Sequence, residues 1–237
     1  MNLAKYIDHT NLAPNASETD IRLLCAEAME YDFAAVCISP IWVKLAADLL
    51  HDSEVKVCTV IGFPTGAHAA SVKLTEAKLA LANGAQELDT VINNIALQTD
   101  NLETLREDIA PLADAAHAAG AILKVILETA LLSDNEIIRA CEICWDFGAD
   151  YVKTSTGMLL PGMTADGKTG ASIHAVQLMA SKARGISGLG DPMGVKASGG
   201  IRDRKTALVM IEAGATRIGT SSGVAIVTDT EEENNTY

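Results

Sequence analysis

Three lysines of this chain sit inside short runs that otherwise read as core strand. They are Lys124 in Leu123–Glu128, Lys153 in Tyr151–Ser155 and Lys196 in Gly194–Ala197. Asp8, Cys37, Asp89 and Glu128 interrupt runs of the same kind. A buried lysine is rarely tolerated unless it is paired. One such lysine alone reads as an edge or snorkelling residue. Three lysines and two aspartates converging on one lumen leave two readings, a structural ion-pair network or a catalytic site.

The chemistry open to such a set is carbonyl chemistry. A lysine amine attacks a carbonyl only when neutral, and its reference pKa is about 10.4. Bringing it near 7 takes roughly 3 units, or about 4–5 kcal/mol of differential destabilisation of the ammonium. Burial supplies part of that, and a second cationic lysine nearby supplies more. Lys153 and Lys196 fall on consecutive strands and can be neighbours. Asp89, across the lumen, could then manage protons for iminium and enamine steps.

The elements that must position these residues recur in order. Eight strands are expected at Tyr6–His9, Ala35–Ile38, Lys56–Ile61, Glu87–Ile92, Leu123–Glu128, Tyr151–Ser155, Gly194–Ala197 and Arg217–Thr220. Helical stretches lie between them: Glu18–Tyr31, Ser71–Asn83, Leu102–Ala119, Ser133–Phe147 and Lys205–Ala213. Ser133 with Glu136 has capping-box spacing. Glycines 84, 120, 148 and 214 each stand where a helix should stop. Asn83-Gly84-Ala85, Phe147-Gly148-Ala149 and Ala213-Gly214-Ala215 are three similar helix–strand joints. One strand per βα unit reads as a parallel sheet, and eight units favour a single-domain (β/α)8 barrel over residues 1–227. No G-x-G-x-x-G follows the first strand, so a dinucleotide fold is not supported. Residues 228–237 form a polar, acidic tail ending in Tyr237.

In a barrel of this kind chemistry sits at the C-terminal ends of the strands. Ser198-Gly199-Gly200 follows Lys196, and Gly219-Thr220-Ser221-Ser222-Gly223 closes the eighth strand. Glycine-rich backbone after strands seven and eight, opening into helix N-termini, is a phosphate cradle. Arg202 could support it with charge. Cys141-x-x-Cys144 has no second pair and lies in a helix, so these two read as packed thiols. The five histidines show no metal-ligand spacing, and neither a metal nor a cofactor is expected. His9, beside Asp8 at a strand end, is the one histidine with a functional reading.

Composition narrows the classes. With 31 acids against 18 bases the formal charge is −13 over 237 residues. A nucleic-acid surface needs clustered bases, so none is expected, and an anionic substrate must be drawn in by a local site. No apolar run approaches the about 18 or more residues of a membrane span, and no signal peptide is visible. The expected location is the cytoplasm, with no membrane partner. Five cysteines in such a chain do not suggest a disulfide framework.

Six segments resemble one family, in order along nearly the whole chain. They are Asp8-His9-Thr10, Val60–Pro64, Glu87-Leu88-Asp89, Leu123–Thr129, Val152–Gly157 and Val195–Arg202. Together they resemble the deoxyribose-phosphate aldolases. That resemblance implies a metal-independent class I aldolase. Its reaction would be reversible cleavage of 2-deoxy-D-ribose 5-phosphate to D-glyceraldehyde 3-phosphate and acetaldehyde. By motif, Lys153 corresponds to the Schiff-base lysine, Lys196 to the lysine that perturbs it and Asp89 to the proton-transfer group. Lys124 and Asp8 fall on supporting polar positions, Cys37 lines the same lumen, and the terminal Tyr237 matches members whose last tyrosine folds over the site. A homodimer is also implied. The Met158–Gly170 stretch is longer than the corresponding family loop. Two rivals stand beside this reading: another Schiff-base barrel, and an inactive barrel that binds sugar phosphates.

Overall fold

The computed structural model describes residues 1–164, 167, 169–186 and 192–230. Eight parallel strands close into a barrel in chain order: β1 Ile7–Asn11, β2 Ala35–Ile38, β3 Lys56–Ile61, β4 Glu87–Val91, β5 Ile122–Ile126, β6 Tyr151–Lys153, β7 Gly194–Ser198 and β8 Arg217–Thr220. β8 returns to pair with β1, with Asp8 beside Gly219. The helices wrap this barrel: α1 Glu18–Glu30, α2 Val43–Leu49, α3 Ala70–Ala82, α4 Asn94–Gln98, α5 Leu102–Ala118, α6 Asp134–Asp146, α7 Ile173–Ile186, α8 Arg204–Glu212 and α9 Gly223–Thr228. The expected single-domain (β/α)8 fold is the one observed.

Local sequence accounts for the helix ends. Ser17 and Asp20 form a reciprocal capping box on α1, and Ser133 and Glu136 do the same on α6. Each satisfies backbone donors that a helix start would leave orphaned. The strands differ from expectation mainly at their ends. β5 stops at Ile126, because Glu128 turns into the left-handed region at φ 56°. β6 stops at Lys153, two residues short of Ser155, and the chain leaves the sheet immediately after that lysine.

Two cores result from the strand period of two. Ile7, Val36, Ile38, Leu88, Leu123, Val125, Val152, Val195 and Ile218 point outward and join the helices in one apolar cluster. The alternate residues point into the lumen. On β2 and β3 these are Ala35, Cys37, Cys58 and Val60, a second small apolar cluster. On the remaining strands the same alternation delivers charge to the lumen instead. That is the layer in which the site lies.

Candidate active site

Asp89 is the hub of the lumen. Its Oδ2 accepts hydrogen bonds from Lys153 Nζ at 2.9 Å and Lys196 Nζ at 2.8 Å, and its Oδ1 accepts from Lys124 Nζ at 2.8 Å. The register explains the meeting: Lys153 lies directly beside Lys196 across β6 and β7, and Asp89 beside Lys124 across β4 and β5. Asp8 takes Lys196 at 2.5 Å and the Arg217 Nε at 3.0 Å. Glu87 takes Lys124 at 2.5 Å and also Arg217. Four cations and three carboxylates therefore share one buried network, leaving a formal excess of one positive charge.

The three lysines are not equivalent. Lys124 has three carboxylates within ion-pair reach, namely Asp8 at 3.8 Å, Glu87 and Asp89. Lys196 has two, Asp8 and Asp89. Among the described residues Lys153 has one, Asp89, and at 3% exposure it is the only one of the three that is not completely sealed. Burial works against the charge on Lys196, but Asp8 and Asp89 outweigh it and raise its pKa above the ordinary lysine value. Lys124 behaves alike, with burial opposed chiefly by Asp89. Burial works against ionisation of Asp89, yet Lys124, Lys153 and Lys196 together hold it well below the usual carboxylate range. In the resting site Lys124 and Lys196 are thus favoured as ammonium groups and Asp89 as a carboxylate.

Glycine at 219 makes room for this arrangement. A Cβ there would lie 2.9 Å from Lys196 Cε and 3.0 Å from Ser198 Cβ. Gly219 is thereby part of β8 packed on the lysine stem rather than part of the loop beyond it.

The glycine loops sit above the lysines. Gly199 and Gly200 both have positive φ, 87° and 80°. Open space surrounds the position of a Gly200 Cβ. Ser198 is held on both sides: its N–H donates to Thr154 Oγ1 at 3.0 Å and its hydroxyl donates to the Ser155 carbonyl at 2.6 Å. Thr220 Oγ1 ties the two loops by donating to the Ile201 carbonyl and accepting from the Ser222 N–H. Ser222 is buried, while Ser221 is exposed. The helix after β7 begins at Arg204, one residue from the expected start, so it opens beyond the glycines themselves. Asp203 caps α8 three residues later, accepting from Thr206 N–H at 2.8 Å. Arg202 is exposed.

The long loop after β6 reaches these glycines. Ala171 N–H donates to the Gly199 carbonyl at 3.1 Å, and a Cβ on Gly170 would lie 2.5 Å from that same oxygen. Glu128, just past β5, anchors the start of that loop: its Oε2 accepts from the Thr156 N–H at 3.1 Å and from the Thr156 hydroxyl at 2.5 Å.

Other expected residues fall elsewhere. His9 points outward, 2.8 Å from Glu27 and against the Phe33 ring, so it belongs to the outer packing. Cys141 and Cys144 are buried in the outer core, as packed thiols. Tyr237 lies outside the described residues. Cys37 does line the lumen, directly beside Cys58.

Sequence reasoning missed Glu87, Arg217 and Cys58. A signal was present: Glu87 lies two residues before Asp89 and Arg217 two before Gly219, so each shares its strand's lumen face. It also missed ligand-like groupings that spacing along the chain cannot reveal. Cys37, Cys58 and Asp89, and likewise Asp8, Cys58 and Glu87, hold ligand atoms within 4.8 Å of one another. Their carboxylates are already paired with lysine and arginine.

Comparison with known proteins agrees with this geometry. A deoxyribose-phosphate aldolase from Brevibacillus brevis is 50% identical over 237 residues, covering 100% of both chains. One from Thermococcus kodakarensis is 50% identical over 233 residues, 98% of each chain. Among solved structures, the tetrameric deoxyribose phosphate aldolase from Aeropyrum pernix superposes with a TM-score of 0.84 at 37% identity, covering 96% of this chain and 90% of that one. The family model described as DeoC/LacD family aldolase matches residues 2–229, the same span that carries the barrel and its lysine network, and the chain belongs to that family.

Proposed function

We propose that this chain is a Schiff-base aldolase that reversibly cleaves 2-deoxy-D-ribose 5-phosphate to D-glyceraldehyde 3-phosphate and acetaldehyde, using neither metal nor cofactor. One observation carries the assignment of the nucleophile: of three lumen lysines, Lys153 has the fewest counter-charges and the only exposure. It is the amine most open to an entering carbonyl.

Its amine adds to the substrate aldehyde carbon. Loss of water gives the iminium, an electron sink for the C2–C3 bond. Removal of the proton from the C3 hydroxyl breaks that bond, releasing the phosphorylated aldehyde and leaving an enamine on Lys153. Protonation at C2 and hydrolysis then release acetaldehyde. Asp89 Oδ2 touches both Lys153 and Lys196, so it can pass protons between the two amines. Lys196 stands directly beside Lys153 as its cationic neighbour. Lys124, Asp8 and Cys37 complete the surroundings as positioning groups. The substrate phosphate goes to the loops after β7 and β8, at Ser198, Gly199, Gly200, Ser221 and Ser222, with Gly219 beneath them. Tyr237 is proposed as a further proton-transfer group.

Borohydride reduction in the presence of acetaldehyde tests the reading. A reduced two-carbon adduct is expected on Lys153, located by peptide mapping. An inactive sugar-phosphate binder would gain none. Exhaustive EDTA treatment should leave cleavage unchanged, and a loss restored by zinc would sink the proposal. We further propose a cytoplasmic homo-oligomer, a dimer by family resemblance. The tetrameric Aeropyrum pernix relative supports self-association, and sedimentation distinguishes two copies from four. No helix among the described residues is long and apolar enough to cross a membrane.

A further inference from the structure

Two lumen thiols carry no chemical step in the mechanism above. Cys37 on β2 and Cys58 on β3 are register partners, both wholly buried and both on the lumen face. Neighbouring strands stand about 4.8 Å apart, inside the roughly 4.4–6.8 Å that separates Cα atoms across a disulfide. The two sulfurs lie within 4.8 Å of each other and of an Asp89 oxygen. Cys58 Sγ is 3.1 Å from Asp89 Oδ1 and accepts from Lys124 Nζ at 3.3 Å. Leu12 and Phe63, both partly exposed, pack against the small apolar cluster that contains this pair.

The surroundings differentiate the thiols. The neighbouring Cys58 thiol, against burial and with help from Lys196, brings the Cys37 thiol down to about 7. Burial first, then the neighbouring Cys37 and Asp89, push Cys58 well above the ordinary thiol value. One sulfur is thus a thiolate near neutrality and its neighbour a protonated thiol. That is the division of labour in an attacking and a resolving cysteine.

We propose that Cys37 and Cys58 form a peroxide-oxidised disulfide that reversibly shuts the aldolase. The proposal uses the aldolase reading for its activity readout only. Hydrogen peroxide is small enough to enter where an aldehyde enters. Cys37 sulfur attacks one peroxide oxygen, the O–O bond breaks, and the departing hydroxide takes a proton to become water. Cys58 sulfur then attacks the Cys37 sulfenic sulfur, the S–O bond breaks, and the hydroxide leaves as water with the Cys58 thiol proton. Two thiols lose two electrons, and one peroxide becomes two waters. The bond draws Cys58 away from Asp89 Oδ1 and Lys124 and removes the Cys37 negative charge beside Lys196. Both changes disturb the network that holds Lys153.

In the test, reduced full-length protein is exposed to graded hydrogen peroxide without substrate. Free thiols are then alkylated under denaturing conditions for peptide mapping, and parallel samples are assayed for cleavage. The expected result is a Cys37–Cys58 linked peptide that rises in step with the loss of activity, both reversed by dithiothreitol. A Cys141→Ala/Cys144→Ala double variant should follow the wild type, since those thiols lie outside the barrel lumen. In Cys58→Ala, judged against its own untreated activity, Cys37 has no resolving partner. Peroxide should carry it to the sulfinic acid, and dithiothreitol should not restore activity. Recovery of Cys37 and Cys58 as alkylated thiols from peroxide-inactivated wild type overturns the proposal. So does full activity with both thiols free at a dose that oxidises the exposed Met1. If Cys58→Ala fails to fold, the wild-type peptide map decides alone. An untreated protein without aldolase activity would defeat the functional reading and leave that map standing as the test of the disulfide.

Discussion

Lys153 and Lys196 share a single oxygen atom. Register partners on β6 and β7, they reach Asp89 Oδ2 at 2.9 and 2.8 Å. The second lysine is locked by Asp8 at 2.5 Å, and among the described residues the first has no such lock. One carboxylate thereby holds together two like charges that would otherwise repel, and the asymmetry of their other partners separates their roles.

Replacing Lys153 by Ala should abolish cleavage while leaving the fold, because the covalent route needs that amine. Circular dichroism should match the wild type, and borohydride with acetaldehyde should label no lumen lysine. An adduct that still forms in this variant, located on Lys196, would reverse the two assignments.

Stability should depend on pH through Asp8. Burial resists its ionisation, but Lys196, Arg217 and Lys124 outweigh it and set its pKa below the ordinary 3.8. A carboxyl depressed in the folded state stabilises fully above its unfolded value and loses that contribution as pH falls through the folded one. The stability gap between wild type and Asp8→Asn, by urea unfolding, should therefore stay level from pH 7 down to about 4 and narrow only below it. A gap that closes between pH 7 and 5 would contradict the arrangement.

Much of this was legible in the chain itself. The barrel followed from recurring strand, helix and glycine-stop units, and the lysines stood out because charge interrupted apolar strands. What the chain concealed depends on contacts between strands far apart in sequence. Glu87 and Arg217 are 130 residues apart yet ion-paired, and nothing local marks either as a partner. Glu128 looked like a strand residue because its neighbours are apolar, yet its left-handed backbone ends the strand. His9 drew attention by adjacency to Asp8, and the period of two sends it to the opposite face. Local patterns give faces and ends; closure of the barrel decides who meets whom.

A second buried pair lies outside the lumen network. Lys73 on α3 and Asp108 on α5 meet at 2.7 Å with almost no exposure. Lys73 also donates to the Val91 carbonyl at 2.7 Å, and Asp108 accepts from the Asn93 N–H at 3.2 Å, so the pair pins the chain just after β4. Lys73→Met leaves a buried carboxylate without its cation and should cost about 3–5 kcal/mol, as breaking such pairs does. Lys73→Met/Asp108→Leu should recover a large part of that loss. Equal destabilisation of the single and double variants, in denaturant titrations, would show that the ion pair is not what makes the single change costly.

The phosphate assignment makes the sharpest demand on the substrate. An acidic chain of −13 formal charge offers a dianion no general attraction, so local donors must hold it. Charge-assisted hydrogen bonds contribute roughly 1.5–3 kcal/mol each, and losing two should cost on the order of a hundredfold or more in kcat/KM. Unphosphorylated 2-deoxyribose should be poorer by at least that factor. Gly170→Ala tests where the loss arises. Its φ of 79° disfavours a side chain, and the new Cβ would stand 2.5 Å from the Gly199 carbonyl oxygen, so the glycine loop after β7 must move. Overpacking of this kind costs about 1–3 kcal/mol. A displaced loop should raise KM for the phosphorylated substrate roughly tenfold or more, since about 1.4 kcal/mol is a factor of ten, and should spare the free sugar. The same fractional loss on both substrates would place the phosphate away from Gly199 and Gly200.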